Sequence, residues 1–182
     1  MADNKPPVTP IEVRVENISQ LFDTLDPFPF PERDLDSDAE EYIVGWAREL
    51  PRDEPIKLIV HVTGGQATEQ ETRLVGTALN RYFEYRAGII SRDLNELFRV
   101  GRTTLLIGLS VLALCLIAAQ FAARRLGDTE FGQFIQQSLI ILGWVANWKP
   151  IETFLYDWLP LVRRRNLYHR LSLASVEIRH HR

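Results

Sequence analysis

The sequence is poor in cysteine: Cys115 is the only one among 182 residues. An intramolecular disulfide is therefore excluded, and so is a metal site built from several cysteine thiolates. Three of the four histidines, His169, His180 and His181, lie near the end of the chain, but a metal ion needs three or four converging ligands. No spacing is typical of a Ser–His–acid triad or of paired catalytic carboxylates. We therefore predict no catalytic residue, no cofactor and no metal.

A phosphate-binding motif is incomplete as well. Gly64 and Gly65 follow the apolar segment Pro55–Val62, which is where a phosphate-binding turn between a strand and a helix would lie. The segment has neither the G-x-G-x-x-G pattern nor the lysine of a P-loop. We predict a plain strand-to-helix turn. The alternative is a membrane-tethered ligand-binding domain that uses Thr63, Gly64 and Gly65.

Charge is distributed unevenly along the chain. Residues 1–54 carry 14 acidic and five basic side chains, a net charge of −9, and the other 128 residues carry +6. Such an asymmetry is typical of a protein that meets a membrane surface or a charged partner. Nothing in the pattern indicates a nucleic-acid partner.

One long segment is apolar throughout. Thr103–Ala123 contains 21 residues without a charge, and as a helix it would span about 31 Å, the thickness of a bilayer hydrocarbon core. Arg102 precedes it and Arg124 follows it. We predict a first transmembrane helix over residues 102–125.

A second apolar segment, residues 131–148, is uncharged but carries three glutamines in its first half. Hydropathy alone does not decide whether it crosses the membrane. If it crosses, the acidic loop 126–130 is the only external segment, and 19 of the 21 basic residues lie on the cytoplasmic side, as the positive-inside rule requires. Residues Met1–Pro7 lack the basic stretch and apolar core of a cleaved secretory signal. We therefore predict a hairpin of two transmembrane helices in a bacterial inner membrane, with both termini cytoplasmic.

The segment after the second span, residues 149–165, has apolar residues at helical spacing and begins with Lys149-Pro150. We predict an interfacial amphipathic helix that Pro160 kinks or ends. Ionisable groups at a membrane boundary mark either a transport path or an interfacial ion pair, and we favour the ion pair or a headgroup contact. The side chains expected at the headgroups, including those that bind anionic lipid phosphates, are Trp144, Trp148, Lys149, Glu152, Tyr156, Trp158, Arg163, Arg164 and Arg165.

The soluble part has the pattern of a small α/β domain. Ile11–Glu16 alternates as a half-buried strand does, and Pro55–Val62 is a more deeply buried strand. One of Asp36, Ser37 and Asp38 caps a helix that runs through Trp46 to Leu50. Pro27–Pro31 interrupts regular structure. We assign residues 1–66 to this acidic cytoplasmic region and 166–182 to a C-terminal tail in which Val176–Arg179 forms a third strand. The predicted fold is thus a membrane α-helical hairpin plus a small α/β cytoplasmic domain formed by the N- and C-terminal segments.

A long amphipathic helix is predicted over residues 67–101, starting from the capping-box spacing Thr68–Glu71. We expect Gly88 and Gly101 to be its weak points. Its apolar stripe is predicted to be Leu74, Ala78, Tyr82, Tyr85, Ile89, Leu94, Leu97 and Phe98. Its polar face carries five arginines, Arg73, Arg81, Arg86, Arg92 and Arg99. Two interpretations stay open: a solvated stalk, or a surface that pairs with the acidic N-terminal region of this chain or a neighbour.

Small and polar residues within the two spans favour helix packing. Alanines four residues apart allow close approach of helices, and glutamine amides form hydrogen bonds between helices. The predicted packing residues are Ala118, Ala119, Gln120, Ala122, Ala123, Gln136 and Gln137.

The stretch Gly143–Glu152, followed by Leu155–Trp158 and the cluster Arg163–Arg165, resembles segments of two-span bacterial inner-membrane proteins. The resemblance covers about a third of the chain and implies no particular activity. Our main hypothesis is a non-enzymatic membrane scaffold or accessory subunit that forms a homo-oligomer or docks onto a larger membrane complex. The alternative is an oligomeric channel or transporter component, with Gln120, Gln136 and Gln137 lining a polar path.

Overall fold

The computed structural model describes residues 9–23, 33–64, 69–127 and 129–180, the side chains of residues 69–72 and 180 excepted. The described chain is mostly helical. In chain order its elements are β1 (Ile11–Val15), α1 (Ser37–Glu49), β2 (Lys57–Val62), α2 (Glu69–Leu126), α3 (Glu130–Val145), α4 (Trp148–Glu152), α5 (Trp158–Ser172) and β3 (Ser175–His180). A 3-10 turn, Ile18–Leu21, follows β1, and a π-helical turn, Thr153–Asp157, joins α4 to α5. Two compact units result: Met1–Ile90 with Arg163–Arg182, and Ser91–Val162.

The first unit contains a parallel three-stranded sheet with the order β1-β2-β3. This confirms the three predicted strands, including the one near the end of the chain. Val60 on the central strand lies beside Val13 on one side and Ile178 on the other. The C-terminal strand therefore completes a sheet that the first 62 residues begin.

One face of the sheet packs against helices. Ile59 on the opposite face is buried as well, and Val13, Leu58 and Val60 are buried on the face towards the helices. On the same face, Val176 lies so near α2 that a Cβ atom built on Gly76 would be 3.5 Å from the Cβ of Val176. A methyl group at residue 76 would therefore make only an ordinary van der Waals contact with β3.

The other face of the sheet carries polar side chains that pair across neighbouring strands. The Lys57 ammonium on β2 lies 2.7 Å from the carboxylate of Glu177 on β3, and His61 lies 3.3 Å from Glu12 on β1. Hydrogen bonds from Lys57 and then from Arg179 lower the pKa of Glu177 to about 2. Such cross-strand pairs favour the observed register over a shifted one.

Helix α1 begins as predicted. Asp36 is the N-cap residue, and its side chain accepts hydrogen bonds from the backbone N–H groups of Asp38 and Ala39 at 3.0 and 3.3 Å. These bonds satisfy two of the N–H groups that a helix leaves without an intrahelical partner. Ile43, Val44 and Ala47 of the helix are buried.

A half-buried carboxylate joins three helices of the first unit. Glu40 on α1 accepts hydrogen bonds from the hydroxyls of Tyr82 on α2 and Tyr168 on α5 and from the guanidinium of Arg86. The Arg86–Glu40 ion pair has an N–O distance of 3.1 Å. Burial alone would raise the pKa of Glu40, but the bonds from Tyr168, Tyr82 and Arg86 outweigh it and lower this pKa. One arginine of the predicted polar face thus pairs with the acidic region of its own chain.

The predicted helix over 67–101 and the predicted first span are one helix, α2, and the expected weak points Gly88 and Gly101 do not interrupt it. The predicted apolar stripe was partly wrong, because Leu74 and Tyr85 are exposed. Ala78, Tyr82 and Leu94 are buried as predicted, and the buried stripe also includes Val75, Leu79, Phe83, Ala87 and Ile90. The first part of α2 is therefore core of the α/β unit, which argues against a solvated stalk there.

The region from residue 131 onwards also differs from the prediction. Helix α3 ends at Val145 and α4 begins at Trp148, so no single helix covers 131–148. Pro160 does not end the following helix, since α5 begins at Trp158 and continues to Ser172. Pro160 is the third residue of α5 and follows directly after the π-helical turn Thr153–Asp157. The predictions for Pro27–Pro31, Gly65, Thr68, Asp128 and His181 lie outside the described residues.

Among the described helices, one is long and apolar enough to cross a membrane. It is α2, over Arg73–Leu126, with a mean hydropathy of 2.4 in its most apolar window. Helix α3 has 16 residues, about 24 Å at the usual rise per residue, and a second crossing is not shown.

The Glu40 cluster predicts a specific loss of stability. Glu40→Gln removes the charge that Arg86 pairs with and leaves one acceptor oxygen where two now serve three donors. We expect a cost of about 2 kcal/mol and a fall in melting temperature of roughly 5–10 °C, measured by circular dichroism of the full chain in mild detergent. The matched control is Glu41→Gln on the exposed side of α1. Equal melting temperatures for the two variants would contradict the role given to Glu40.

The same cluster predicts a pH dependence. Because the pKa of Glu40 is lower in the folded protein, its contribution is fully present above the ordinary glutamate pKa of about 4.3 and is lost as the pH falls through the lower, folded value. The difference in melting temperature between the wild type and Glu40→Gln should therefore be constant near neutral pH and shrink in acid below about pH 4. A difference that widened in acid would have the wrong sign.

Candidate functional site

The second unit is built around the antiparallel packing of α2 and α3. On α2 a small residue recurs every seven residues, at Gly101, Gly108, Cys115 and Ala122, which keeps these residues on one side of the helix. A Cβ atom built on Gly143 of α3 would lie 2.8 Å from Leu112 Cδ1 and 3.2 Å from Cys115 Cβ. A side chain at residue 143 would thus push the helices apart.

A buried amide ties the two helical segments together. Asn147, just after α3, is 4% exposed, and its Nδ2 donates to the carbonyls of Gly108 and Gly143, each at 3.0 Å. Its Oδ1 has no hydrogen-bond donor among the described residues and would lie 2.7 Å from a Cβ atom built on Gly108. The missing side chain at Gly108 is therefore what allows Asn147 to approach the backbone of α2.

A polar cluster follows at the π-helical turn. The Lys149 ammonium donates to Glu152 at 3.2 Å and to Asp157 at 3.3 Å, and the hydroxyl of the buried Thr153 donates to the same Asp157 oxygen at 3.0 Å. Hydrogen bonds from Lys149 to Glu152 and then Asp157 raise the pKa of Lys149. A single π-helical turn often marks a functional position, and here it brings Thr153 and Asp157 onto the same side of the chain. The geometry is that of a closed ion pair, in which both carboxylates share one ammonium group.

The outer surface of this unit is strongly apolar. Leu106, Leu114 and Phe134 are each about two-thirds exposed, at 67, 67 and 68%. Burying such side chains away from water is worth about 1.5–3 kcal/mol each, and a surface of this size in a monomer marks a membrane or protein contact. The other large apolar side chains of the unit that are more than half exposed are Val100, Ile107, Ile117, Phe121, Phe131, Ile141, Leu142, Trp144, Val145, Trp148, Leu155 and Tyr156.

The predicted packing residues are distributed over different faces of this unit. Ala119 is buried against α3, and Ala122, Ala123 and Gln136 are half-buried. Ala118, Gln120 and Gln137 are exposed and take no part in the packing of α2 against α3.

The predicted headgroup residues are mostly exposed. Trp144, Trp148 and Tyr156 expose more than 60% of their surface, whereas Trp158 is half-buried and its Nε1 donates to the carbonyl of Phe154. Lys149 and Glu152 form the ion pair described above. In the first unit, the guanidinium of Arg164 lies over the ring of Tyr168 at 5.5 Å, Arg165 donates to Asn166, and Arg163 is exposed.

Sequence reasoning missed the residues that hold the helical pair together, namely Gly108, Gly143, Asn147 and Thr153. A signal was present in the recurrence of small residues at positions 101, 108, 115 and 122. The alanine pairs that were predicted to pack lie in a neighbouring part of the same helix. Nothing in the pattern marked Asn147, since an asparagine at the end of an apolar segment is usually solvated.

The turn after β2 is engaged with β1. The backbone N–H groups of Thr63 and Gly64 donate to the carbonyls of Val15 and Glu16 at 3.1 and 2.9 Å. These two N–H groups are therefore used within the sheet and do not point at a ligand. In the described part of the chain, no three side chains of His, Cys, Asp or Glu converge as metal ligands would.

Two glycines of α2 give a matched pair of substitutions. At Gly108 a methyl group would meet Asn147 Oδ1 and, at 3.1 Å, the carbonyl of Ala146. Gly108→Ala should therefore destabilise the protein by about 1–3 kcal/mol through overpacking. At Gly88 a Cβ atom meets nothing within 4 Å, and Gly88→Ala should stabilise the helix by up to about 1 kcal/mol. Opposite shifts of melting temperature in mild detergent are expected, and shifts of the same sign would argue against the close contact at Gly108.

Comparison with protein-family models, with curated proteins and with solved structures gives no match. The features of this chain that bear on its function are the helical pair and its exposed apolar surface.

Proposed function

We propose that this chain is a non-enzymatic integral membrane scaffold or accessory subunit of a bacterial inner membrane, which oligomerises or docks onto a larger membrane complex. The observation that carries the proposal is the apolar surface of the helical pair, which α2 and α3 expose on the sides that do not face each other. In water such a surface would be strongly unfavourable, whereas in lipid it matches its surroundings.

The hairpin topology is part of the proposal. Helix α3 alone reaches about 24 Å, and three more residues, Ala146–Trp148, extend it to about 28 Å if they follow the helical rise. Ala146 and Asn147 keep a right-handed helical backbone, which supports a second crossing that ends near Trp148. The connection at residues 126–130 is then external and acidic, and nearly all basic residues are cytoplasmic.

The segment after Trp148 would lie at the cytoplasmic headgroups. Trp148 and Tyr156 are exposed there, and amphipathic aromatic rings favour this depth. Lys149 is already neutralised by Glu152 and Asp157, so we assign anionic headgroup binding chiefly to the exposed guanidinium of Arg163 and its neighbours. The polar cluster itself closes the end of the hairpin.

Two sets of polar groups in the first unit already have hydrogen-bond partners within the chain, and this favours a scaffold over a ligand-binding domain. The N–H groups of Thr63 and Gly64 donate to β1, and the Glu40 carboxylate takes its donors from three helices of the same chain. Groups that already have partners hold the domain together but offer little to a ligand.

A channel component is the second candidate, because Gln120 and Gln137 are exposed within the apolar helices. Two spans form a pore only when several copies assemble. The mass of the intact assembly separates the two hypotheses: a ring of several copies favours the channel, and a dimer or a complex with a different protein favours the scaffold.

The proposed topology predicts the accessibility of introduced cysteines. In a Cys115→Ala background, Thr129→Cys should react with a membrane-impermeant thiol reagent added to intact cells. Asp53→Cys, the control, should react only after the membrane is permeabilised. Labelling of both or neither in intact cells would exclude a hairpin with a cytoplasmic N-terminal domain.

The proposed role predicts the behaviour of the chain during purification. It should remain in the membrane fraction after alkaline extraction and elute from mild detergent as an assembly larger than one chain. Release by alkali would argue against an integral membrane protein. A monomer without any co-purified protein would argue against a scaffold.

A further inference from the structure

Three glutamine side chains within the apolar helices lack a partner. Gln120 on α2 and Gln133 and Gln137 on α3 are exposed, and no hydrogen bond reaches their amides from any described residue. The hydroxyls in the same unit differ, since Ser110 donates to the carbonyl of Leu106 at 2.9 Å within its own helix. A glutamine amide has two donor hydrogens and an acceptor oxygen, and lipid tails satisfy none of them.

Helix geometry places these three side chains on one face of the hairpin. Gln120 lies roughly 120° around α2 from Gly108, and Gln137 lies roughly 120° around α3 from Gly143, both in the direction in which the chain advances. Gly108 and Gly143 point towards the opposite helix. Because the helices are antiparallel, equal rotations along each chain lead to the same side of the pair. Gln133, one helical turn before Gln137, lies on that side too.

Two of the glutamines also lie at the same depth. The contacts of Gly143 with Cys115 and of Gly132 with Leu126 fix the alignment of α3 along α2. Within this alignment Gln137 is level with residue 121, and hence within one residue of Gln120. Gln120 and Gln137 are about 9 and 7.5 Å from Leu126 along the helix axis, which places them inside the hydrocarbon layer of the proposed membrane topology. Gln133 is level with about residue 125 and so lies at the edge of that layer.

The opposite face of the hairpin has a different composition. Rotation in the other sense places Leu114 and Phe121 of α2 there, with Leu142 and Ser138 of α3. Except for Ser138 these are large apolar side chains, all exposed. The face with the amides, here termed the glutamine face (Gln120, Gln133 and Gln137), also carries the exposed apolar side chains of Leu109, Leu116 and Trp144. The two faces therefore differ in their polar groups: three amides on one and the hydroxyl of Ser138 on the other.

We propose that the glutamine face binds a second copy of this chain in a parallel, two-fold symmetric dimer. A two-fold axis along the membrane normal sets α2 of each copy opposite α3 of the other. Gln120 then meets Gln137 of the second copy, and the equal depth of the two residues makes both symmetric contacts possible at once. Since amides both donate and accept, the two faces are self-complementary. Because a second copy inserts in the same orientation, its Gln120 and Gln137 lie at the same depth as those of the first copy.

The inference rests on the proposed membrane insertion and adds the partner and the residues of contact. The test uses two single-cysteine variants of the full chain, both in a Cys115→Ala background. Gln120→Cys carrying one tag and Gln137→Cys carrying another are co-reconstituted in lipid vesicles and oxidised. A cross-link between the two tags can form only between copies, and the second amide pair of the dimer stays intact in this mixture.

We expect a disulfide-linked dimer from this pair of variants. The matched control is Phe121→Cys mixed with Ser138→Cys, which lie at the same depth on the opposite face and leave all three glutamines in place. Little cross-linking is expected from the control. No cross-link between Gln120→Cys and Gln137→Cys, or equal cross-linking in the control, would overturn the proposal.

A second measurement uses the assembly itself. The wild-type chain in mild detergent should have the protein mass of two copies, and Gln120→Leu combined with Gln137→Leu should weaken the dimer at least tenfold. Ser138→Leu, which makes the same kind of change on the opposite face, should leave the dissociation constant unchanged. A wild-type monomer, a larger ring or a complex with another protein would each overturn the dimer. Membrane retention after alkaline extraction is measured separately. A chain that stays in the membrane as a monomer contradicts only the dimer. Release by alkali contradicts the proposed membrane function itself.

Discussion

The close approach of α2 and α3 at Gly108 and Gly143 is the constraint on which the second unit depends. Glycine at these two positions leaves room for the Asn147 amide to reach two backbone carbonyls. In lipid there is little hydrophobic force between two helices, so association relies on short backbone separation and on hydrogen bonds of this kind. The small residues allow the short backbone separation, and Asn147 supplies the hydrogen bonds. Each is of little use without the other, because a larger residue at position 108 would hold the amide away from its acceptors.

The first unit is stabilised in a different way. Its sheet buries aliphatic side chains in the usual manner, but its helices meet at a carboxylate, Glu40, that two tyrosines and an arginine surround. A half-buried charge is tolerated there because every donor that faces it points at one of its oxygens. The tyrosine rings add apolar contact, since Phe83 lies edge-on to both Tyr82 and Tyr168. This arrangement fixes α1, α2 and α5 at one point, which is what a domain with so short a sheet requires.

Much of the α/β unit could be predicted from the sequence because its signals are local. Strict alternation gives β1, and a capping aspartate followed by a helical pattern gives α1. The buried stripe of α2 could not be assigned correctly, since apolar residues occur in adjacent pairs such as Leu74-Val75, Ala78-Leu79 and Tyr82-Phe83. Either member of each pair continues a helical repeat, but the structure buries both members of Ala78-Leu79 and Tyr82-Phe83 and only Val75 of the first pair. Pro160 was predicted to kink or end its helix, and the structure shows that it does not end it, since α5 continues to Ser172.

The second unit shows a further limit of sequence reasoning. The glutamines stood out as polar residues within apolar segments, but one-dimensional spacing could not tell that Gln136 turns towards α2 while Gln137, the next residue, turns outward. That distinction needs the orientation of α3 about its own axis, which the contacts at Gly132 and Gly143 define. This orientation places Gln137 on the same side of the hairpin as Gln120 of the neighbouring helix. A single exposed amide in a membrane helix costs a modest amount of free energy. A Lys or Arg could avoid this cost because its long side chain extends to the interface, whereas the shorter glutamine side chain cannot. Gln120 and Gln137, at equal depth on one side of the hairpin, therefore make better sense as two halves of a contact than as two separate costs.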